Sequence, residues 1–126
     1  MGTVEFTADN FVEKTSGEGI TFIDFWADWC GPCKRFAPTY ERAAEANPDI
    51  TFGKVDTEAQ QELAAMFQIQ SIPTIMAIRD DVVVYSEPGA MPDAAFTELI
   101  KKVREIDPER LKAAKSEHEE HAHKAP

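Results

Sequence analysis

From Phe22 to Lys34 the chain reads Phe-Ile-Asp-Phe-Trp-Ala-Asp-Trp-Cys-Gly-Pro-Cys-Lys, a stretch that holds both cysteines of the 126-residue sequence. The nearly continuous apolar pattern over residues 20–26 suits a central strand covered on both faces rather than one with a wet side. Asp24 interrupts it. Immediately afterwards Cys33, Phe36, Ala37, Tyr40, Ala43 and Ala44 recur at helical spacing as far as Asn47, with Pro38 inside the helix as an expected kink. A strand that hands over to a helix at Cys-x-x-Cys places the first thiol near a helix N-terminus. There the macrodipole and unpaired backbone N–H groups favour thiolate over thiol.

The remaining segments supply what such a strand needs on either side. Val4 to Phe6 reads as a short strand, and Thr7 to Lys14 as a short helix with Thr7 as N-cap and Phe11 and Val12 turned inward. Ile50 to Asp56 is a strand, followed by a helix from Glu58 to Phe67 that turns Ala59, Leu63, Met66 and Phe67 inward. Thr74 to Ile78 and Val82 to Ser86 are β-rich runs joined at Arg79-Asp80-Asp81, which reads as an antiparallel hairpin. Gly89 permits a turn, Pro92 and Asp93 suit the first turn of a helix, and Phe96, Leu99, Ile100, Val103 and Ile106 form its apolar stripe. This order of elements predicts an α/β fold, a mixed sheet with helices on both faces.

Residues 1–107 are long enough for one domain with its own core, in keeping with a hydrophobic fraction of 43%. Residues 108–126 are a charged tail, expected to be partly helical or disordered, with Leu111 its last large aliphatic residue. His118, His121 and His123 read as part of a solvated tail rather than as a metal site, because nothing fixes their geometry. A net charge of −10 without clustered Lys and Arg argues against a nucleic-acid partner. No apolar run is long enough to span a membrane and no signal or transit peptide is visible, so a cytoplasmic location is expected.

Two cysteines fall short of the four ligands of a structural zinc site, and in a reduced cytosol a redox or catalytic role is favoured over a staple. Thiol–disulfide exchange needs a thiolate attacker, a mixed disulfide and a second thiol that resolves it. Cys30, at an exposed helix entry, is the expected attacker, and Cys33, one turn in and more buried, the resolver. Gly31 lets a substrate backbone approach, and Pro32 fixes φ at the helix start. Asp24 has two readings. Burial would raise its pKa and let it exchange a proton with the resolving thiol, or Lys54 on the next strand would pair with it for structural reasons. Pro73, in Ile-Pro-Thr, is by itself an ordinary strand-entry residue.

Phe25-Trp26-Ala27-Asp28-Trp29-Cys30-Gly31-Pro32-Cys33-Lys34, with Ser71-Ile72-Pro73-Thr74 and Gly89 later in the chain, closely resembles the thioredoxin family from about Thr3 to Ile106. The resemblance implies the thioredoxin fold: a central mixed five-stranded sheet flanked by four helices, here with a C-terminal polar extension. It implies a cis bond at Ile72-Pro73 opposite the cysteines, with the Ile72 backbone pairing with an extended substrate. It also implies Cys30 as nucleophile, Cys33 as resolving thiol and Asp24 as buried acid with Lys54 beside it. Trp29, Gly31, Pro32, Ile72, Pro73, Gly89 and Ala90 would form an apolar docking surface.

The implied activity is that of a monomeric protein-disulfide reductase serving disulfide-containing client proteins. It binds no cofactor, and a thioredoxin reductase flavoenzyme restores its dithiol with electrons from NADPH. Gly31-Pro32 supports reduction, since oxidising relatives usually carry a His in the motif. An oxidase or isomerase and a redox-silent binding subunit are the rival readings. Three features depart from the family pattern: Asp80-Asp81 in place of a Gly-containing turn, Asp28 before Trp29, and the tail beyond Asp107.

Overall fold

A computed structural model of the chain describes residues 2–114. In chain order the elements are β1 (Thr3–Glu5), α1 (Phe11–Thr15), β2 (Ile20–Trp26), α2 (Gly31–Ala46), β3 (Thr51–Asp56), α3 (Gln61–Met66), β4 (Thr74–Arg79), β5 (Val82–Pro88) and α4 (Asp93–Arg104). The strands form one mixed sheet in the order β1-β3-β2-β4-β5, with β2 at its centre. There β2 runs parallel to β3 and antiparallel to β4, so Asp24 lies opposite Lys54 on one side and Ile75 on the other.

Alternation along β2 divides its buried side chains between two cores. Phe22 packs with Phe36, Tyr40, Phe52, Phe96 and Ile100 under α2 and α4. Ile23 and Phe25 pack on the opposite side with Phe6, Phe11, Val55, Leu63 and Met76, under α1 and α3. This double cover is why β2 reads as continuously apolar. Gly53 on β3 is required by close approach, because a Cβ there would overlap the ring of Phe6. The Tyr40 hydroxyl donates to the Gly53 carbonyl at 2.7 Å, which ties α2 to the same point of the sheet.

The short helices differ from the sequence expectation. Thr7 and Asn10 cap each other ahead of the regular helix: the Thr7 N–H donates to Asn10 Oδ1 at 2.8 Å, Thr7 Oγ1 accepts the Asn10 N–H at 3.3 Å, and the Phe11 N–H donates to the Thr7 carbonyl at 3.0 Å. Helix α1 therefore starts at Phe11, which buries that ring but leaves Val12 exposed. Likewise Asp56 Oδ1 accepts the N–H groups of Glu58 and Ala59 at 2.9 and 3.3 Å, forming a turn that delays α3 to Gln61. The inward face consequently holds Leu63 with Phe67 and Ile69, while Ala59 and Met66 face solvent.

Asp80 and Asp81 adopt φ of 51° and 69°, the left-handed pair of a type I′ hairpin turn. Their carboxylates explain the absence of glycine there. Asp80 Oδ1 accepts the Gly19 N–H at 2.7 Å, and Asp81 Oδ1 accepts the Gly17 N–H at 2.9 Å, clasping the loop before β2 to the turn. At the same end of the sheet, Arg79 Nη1 donates to the carbonyls of Val103, Arg104 and Ile106 at 2.8, 3.1 and 2.8 Å, closing the C-terminus of α4. Residues 108–114 form a further helical stretch, and Leu111, 6% exposed, lines one cavity together with Gly17, Glu18, Asp80 and Asp81. His118, His121 and His123 lie outside the described residues.

Candidate functional site

The site forms where β2 ends. Cys30 is the N-cap of α2, in extended conformation (φ −87°, ψ 109°), and Pro32 occupies the first turn. Cys30 and Cys33 are joined by a disulfide with their Cα atoms 5.2 Å apart. Cys30 Sγ accepts the Cys33 N–H at 3.2 Å, so sulfur performs the task an Asp or Ser oxygen usually performs at a helix start. On its other side Cys30 Sγ lies 3.7 Å from the carbonyl oxygen of Ile72.

The two sulfurs are not distinguished by burial as the sequence suggested. Cys30 and Cys33 are each 3% exposed, because the disulfide draws Cys30 in and the Ile72 backbone covers it. Position separates them instead: Cys30 precedes the helix and abuts Ile72, while Cys33 lies on the α2 stripe with Phe36, Tyr40 and Ala44 that faces the sheet.

The Ile72–Pro73 peptide is cis. Pro73 is fully buried, whereas Ile72 is half-buried beside the disulfide, so Pro73 backs the wall and does not form its surface. The Pro73 carbonyl accepts the N–H of Gly89 at 2.8 Å, which brings the Gly89-Ala90 turn to the same rim. Gly89 has φ of 114°, a conformation that suits glycine. Trp29 is 69% exposed, and Gly31, Pro32, Gly89 and Ala90 are also exposed. The structure thus gathers Trp29, Gly31, Pro32, Ile72, Gly89 and Ala90 around one disulfide.

Beneath it, Asp24 is 1% exposed and both carboxylate oxygens lack a hydrogen-bond partner among the described residues. Burial raises its pKa to about 7, a rise that Lys54 opposes and Glu41 reinforces. Lys54 lies opposite Asp24 in register but forms no hydrogen bond with it. Its ammonium sits over the Trp26 ring, 5.1 Å from the centroid. The simple Asp24–Lys54 pair weighed from the sequence is therefore absent.

The sequence pattern by itself does not mark Trp26 or Glu41 as site residues. Trp26 follows Asp24 at strand spacing, which puts it on the same face of the sheet. Glu41 is brought near only by the crossing of α2 over the sheet. Among the described residues no group of three or more His, Cys, Asp or Glu is placed to hold a metal ion. No described helix is long and apolar enough to cross a membrane.

A CxxC disulfide at the N-terminus of a helix, faced by a cis-proline strand entry on a central mixed sheet, defines a thiol–disulfide oxidoreductase. A family model described as thioredoxin matches residues 2–102. The chain is 52% identical over 120 residues to a putative thioredoxin 2 of Streptomyces coelicolor, covering 95% of this chain and 90% of that protein. It is 39% identical to thioredoxin of Bacillus subtilis, covering 81% of this chain and 98% of that protein. Among solved structures, a thioredoxin of Malassezia sympodialis aligns with a TM-score of 0.72 at 30% identity, covering 81% of this chain and 91% of the other. Thioredoxin of Plasmodium falciparum aligns with a TM-score of 0.72 at 34% identity, covering 78% of this chain and 96% of the other.

The chain belongs to the thioredoxin family, and it is a protein-disulfide reductase that works by dithiol–disulfide exchange through Cys30 and Cys33. Members of this family work with a thioredoxin reductase and disulfide substrates and generally need no cofactor of their own.

Proposed function

We propose that Cys30 is the attacking thiolate and Cys33 the resolving thiol of a general, monomeric, cytoplasmic reductase. The observation that carries this order is the Cys33 N–H directed at Cys30 Sγ at 3.2 Å. In the dithiol state that bond, with the helix N-terminus behind it, favours a thiolate at Cys30 and offers nothing comparable to Cys33.

The Cys30 thiolate attacks one sulfur of a client disulfide, forming the Cys30–client bond and expelling a client thiolate. Asp24 accepts the Cys33 proton, directly or through one water. The Cys33 thiolate then attacks Cys30 Sγ and releases the second client thiolate. Two electrons pass to the client, which takes up protons to become a dithiol, and the Cys30–Cys33 disulfide remains. Trp29, Gly31, Pro32, Ile72, Gly89 and Ala90 receive the client as an extended segment, with Pro73 supporting the wall and Lys54 moderating the charge on Asp24. The exposed apolar rim around a recessed disulfide supports this reading, and Gly31-Pro32, without a His, supports reduction over oxidation.

A thioredoxin reductase flavoenzyme returns the disulfide to the dithiol with electrons from NADPH. Residues 1–107 carry all of this chemistry, and residues 108–126 are an appendage to it. The test is a coupled assay with purified protein, reductase, NADPH and insulin. NADPH oxidation that requires all components, and that disappears in Cys30→Ser, is the expected result. Insulin reduction at the full rate by Cys30→Ser would overturn the assignment.

A further inference from the structure

Lys54 is the cation that faces Asp24, yet it is placed among several carboxylates. On the α2 side of the sheet, Asp24, Lys54 and Glu5 lie side by side across β2, β3 and β1 in direct register. Glu5 is exposed at the edge and Asp24 enclosed at the centre, so Lys54 spans the interval between solvent and core. Helix α2 crosses above this row. Tyr40 anchors it to the carbonyl of Gly53, the residue before Lys54, at 2.7 Å. The next residue, Glu41, is half-buried and accepts a hydrogen bond from Thr3 Oγ1 at 3.1 Å, which holds it on the β1 side of Lys54.

We propose that Glu41 is a positioning residue for the reductase reaction: held by Thr3 above the Asp24–Lys54–Glu5 row, its carboxylate adds a negative charge on the α2 side of Asp24 and so governs how readily Asp24 takes and gives the Cys33 proton. This rests on the proton role proposed for Asp24. The position of Lys54 accords with it, since the ammonium lies over Trp26 while both Asp24 oxygens go without a partner. The charged and titratable groups around Asp24 are Lys54 from β3, with Glu5 beyond it on β1, and Glu41 and Tyr40 from α2; β4 presents the apolar Ile75. A negative charge at Glu41 favours the protonated form of Asp24, in keeping with the direction in which the buried carboxyl is shifted.

The experiment is a titration of the Asp24 side-chain carboxyl by carbon-13 NMR in the oxidised full-length protein. Glu41→Gln retains an acceptor for Thr3 but removes the charge. It is expected to lower the Asp24 midpoint by about half a pH unit or more, the effect of one charge removed at intermediate burial, with the melting temperature unchanged. Thr3→Val, which frees Glu41 without discharging it, is expected to shift the midpoint the same way by less. Lys54→Met is expected to shift it upward. An Asp24 midpoint that stays at the wild-type value in Glu41→Gln overturns the proposal.

A parallel pH–rate profile of insulin reduction separates this inference from the reading beneath it. If Asp24→Asn leaves the profile unchanged, the proton role of Asp24 fails. If Asp24→Asn flattens the profile while Glu41→Gln alters neither profile nor midpoint, only the role of Glu41 fails.

Discussion

A carboxyl group enclosed on a doubly covered strand loses hydration whenever it ionises, and at Asp24 no hydrogen bond replaces that hydration. Its pKa of about 7, against 3.8 when unperturbed, means that the folded state holds a proton the unfolded chain has released over the pH range between those values. The stabilisation is fully present below the unfolded value and is lost as pH rises through the folded one. Unfolding free energy should therefore fall by roughly 2 to 3 kcal/mol between pH 5 and pH 8 on account of this group alone. Asp24→Asn should remove that slope while slowing disulfide exchange near neutrality by on the order of a hundredfold. Urea titrations at several pH values check the first point, and a slope that survives in Asp24→Asn would assign it to other groups. Asp24 was legible in the sequence because a lone acid in an apolar run is conspicuous. Its environment was not: that Lys54 leans on Trp26 and that Glu41 stands nearby follows from the crossing of α2, which strand alternation does not encode.

Helix α2 and the two ends of β4 show which local rules prevailed. α2 runs from Gly31 to Ala46 with Pro38 inside it and with the one apolar stripe that its periodicity predicts, while its sulfur N-cap is a feature periodicity does not encode. α1 and α3 are shorter than the sequence predicts, because a reciprocal Thr7–Asn10 cap precedes α1 and the Asp56 carboxylate holds residues 57–59 in a turn before α3. Val12 and Met66 consequently moved from the expected core to the surface. At the end of β4, Arg79 donates to the carbonyls of Val103 and Arg104 in the last turn of α4 and to that of Ile106 just beyond it. Arg79→Met should cost about 2 kcal/mol by leaving those acceptors without a charged donor, with insulin reduction unchanged because the disulfide lies at the opposite end of β2. An intact unfolding midpoint would show that water replaces the guanidinium at no cost.

At the scale of the whole molecule, the mixed five-stranded sheet, the antiparallel pairing of β4 with β5 and the dithiol at the start of α2 agree with what the sequence implied, whereas the strand order β1-β3-β2-β4-β5 comes from the structure. A local pattern could not show that Leu111 is buried beside a cavity it lines with Gly17, Glu18, Asp80 and Asp81, since these residues are remote from it in sequence. Deleting residues 108–126 should lower stability by about 1 to 2 kcal/mol through the loss of one buried leucine. It should leave the rate of insulin reduction unchanged, and a collapse in that rate would place the appendage in the chemistry. The central claim is directional exchange, Cys30 first and Cys33 second. Its most direct measurement is intact-mass analysis of the reduced single-cysteine variants after incubation with a disulfide-bonded client. Cys33→Ser should accumulate a mixed disulfide at Cys30, and Cys30→Ser should accumulate none. A stable adduct on Cys33 in the Cys30→Ser protein, at a rate matching that of Cys33→Ser, would contradict the account.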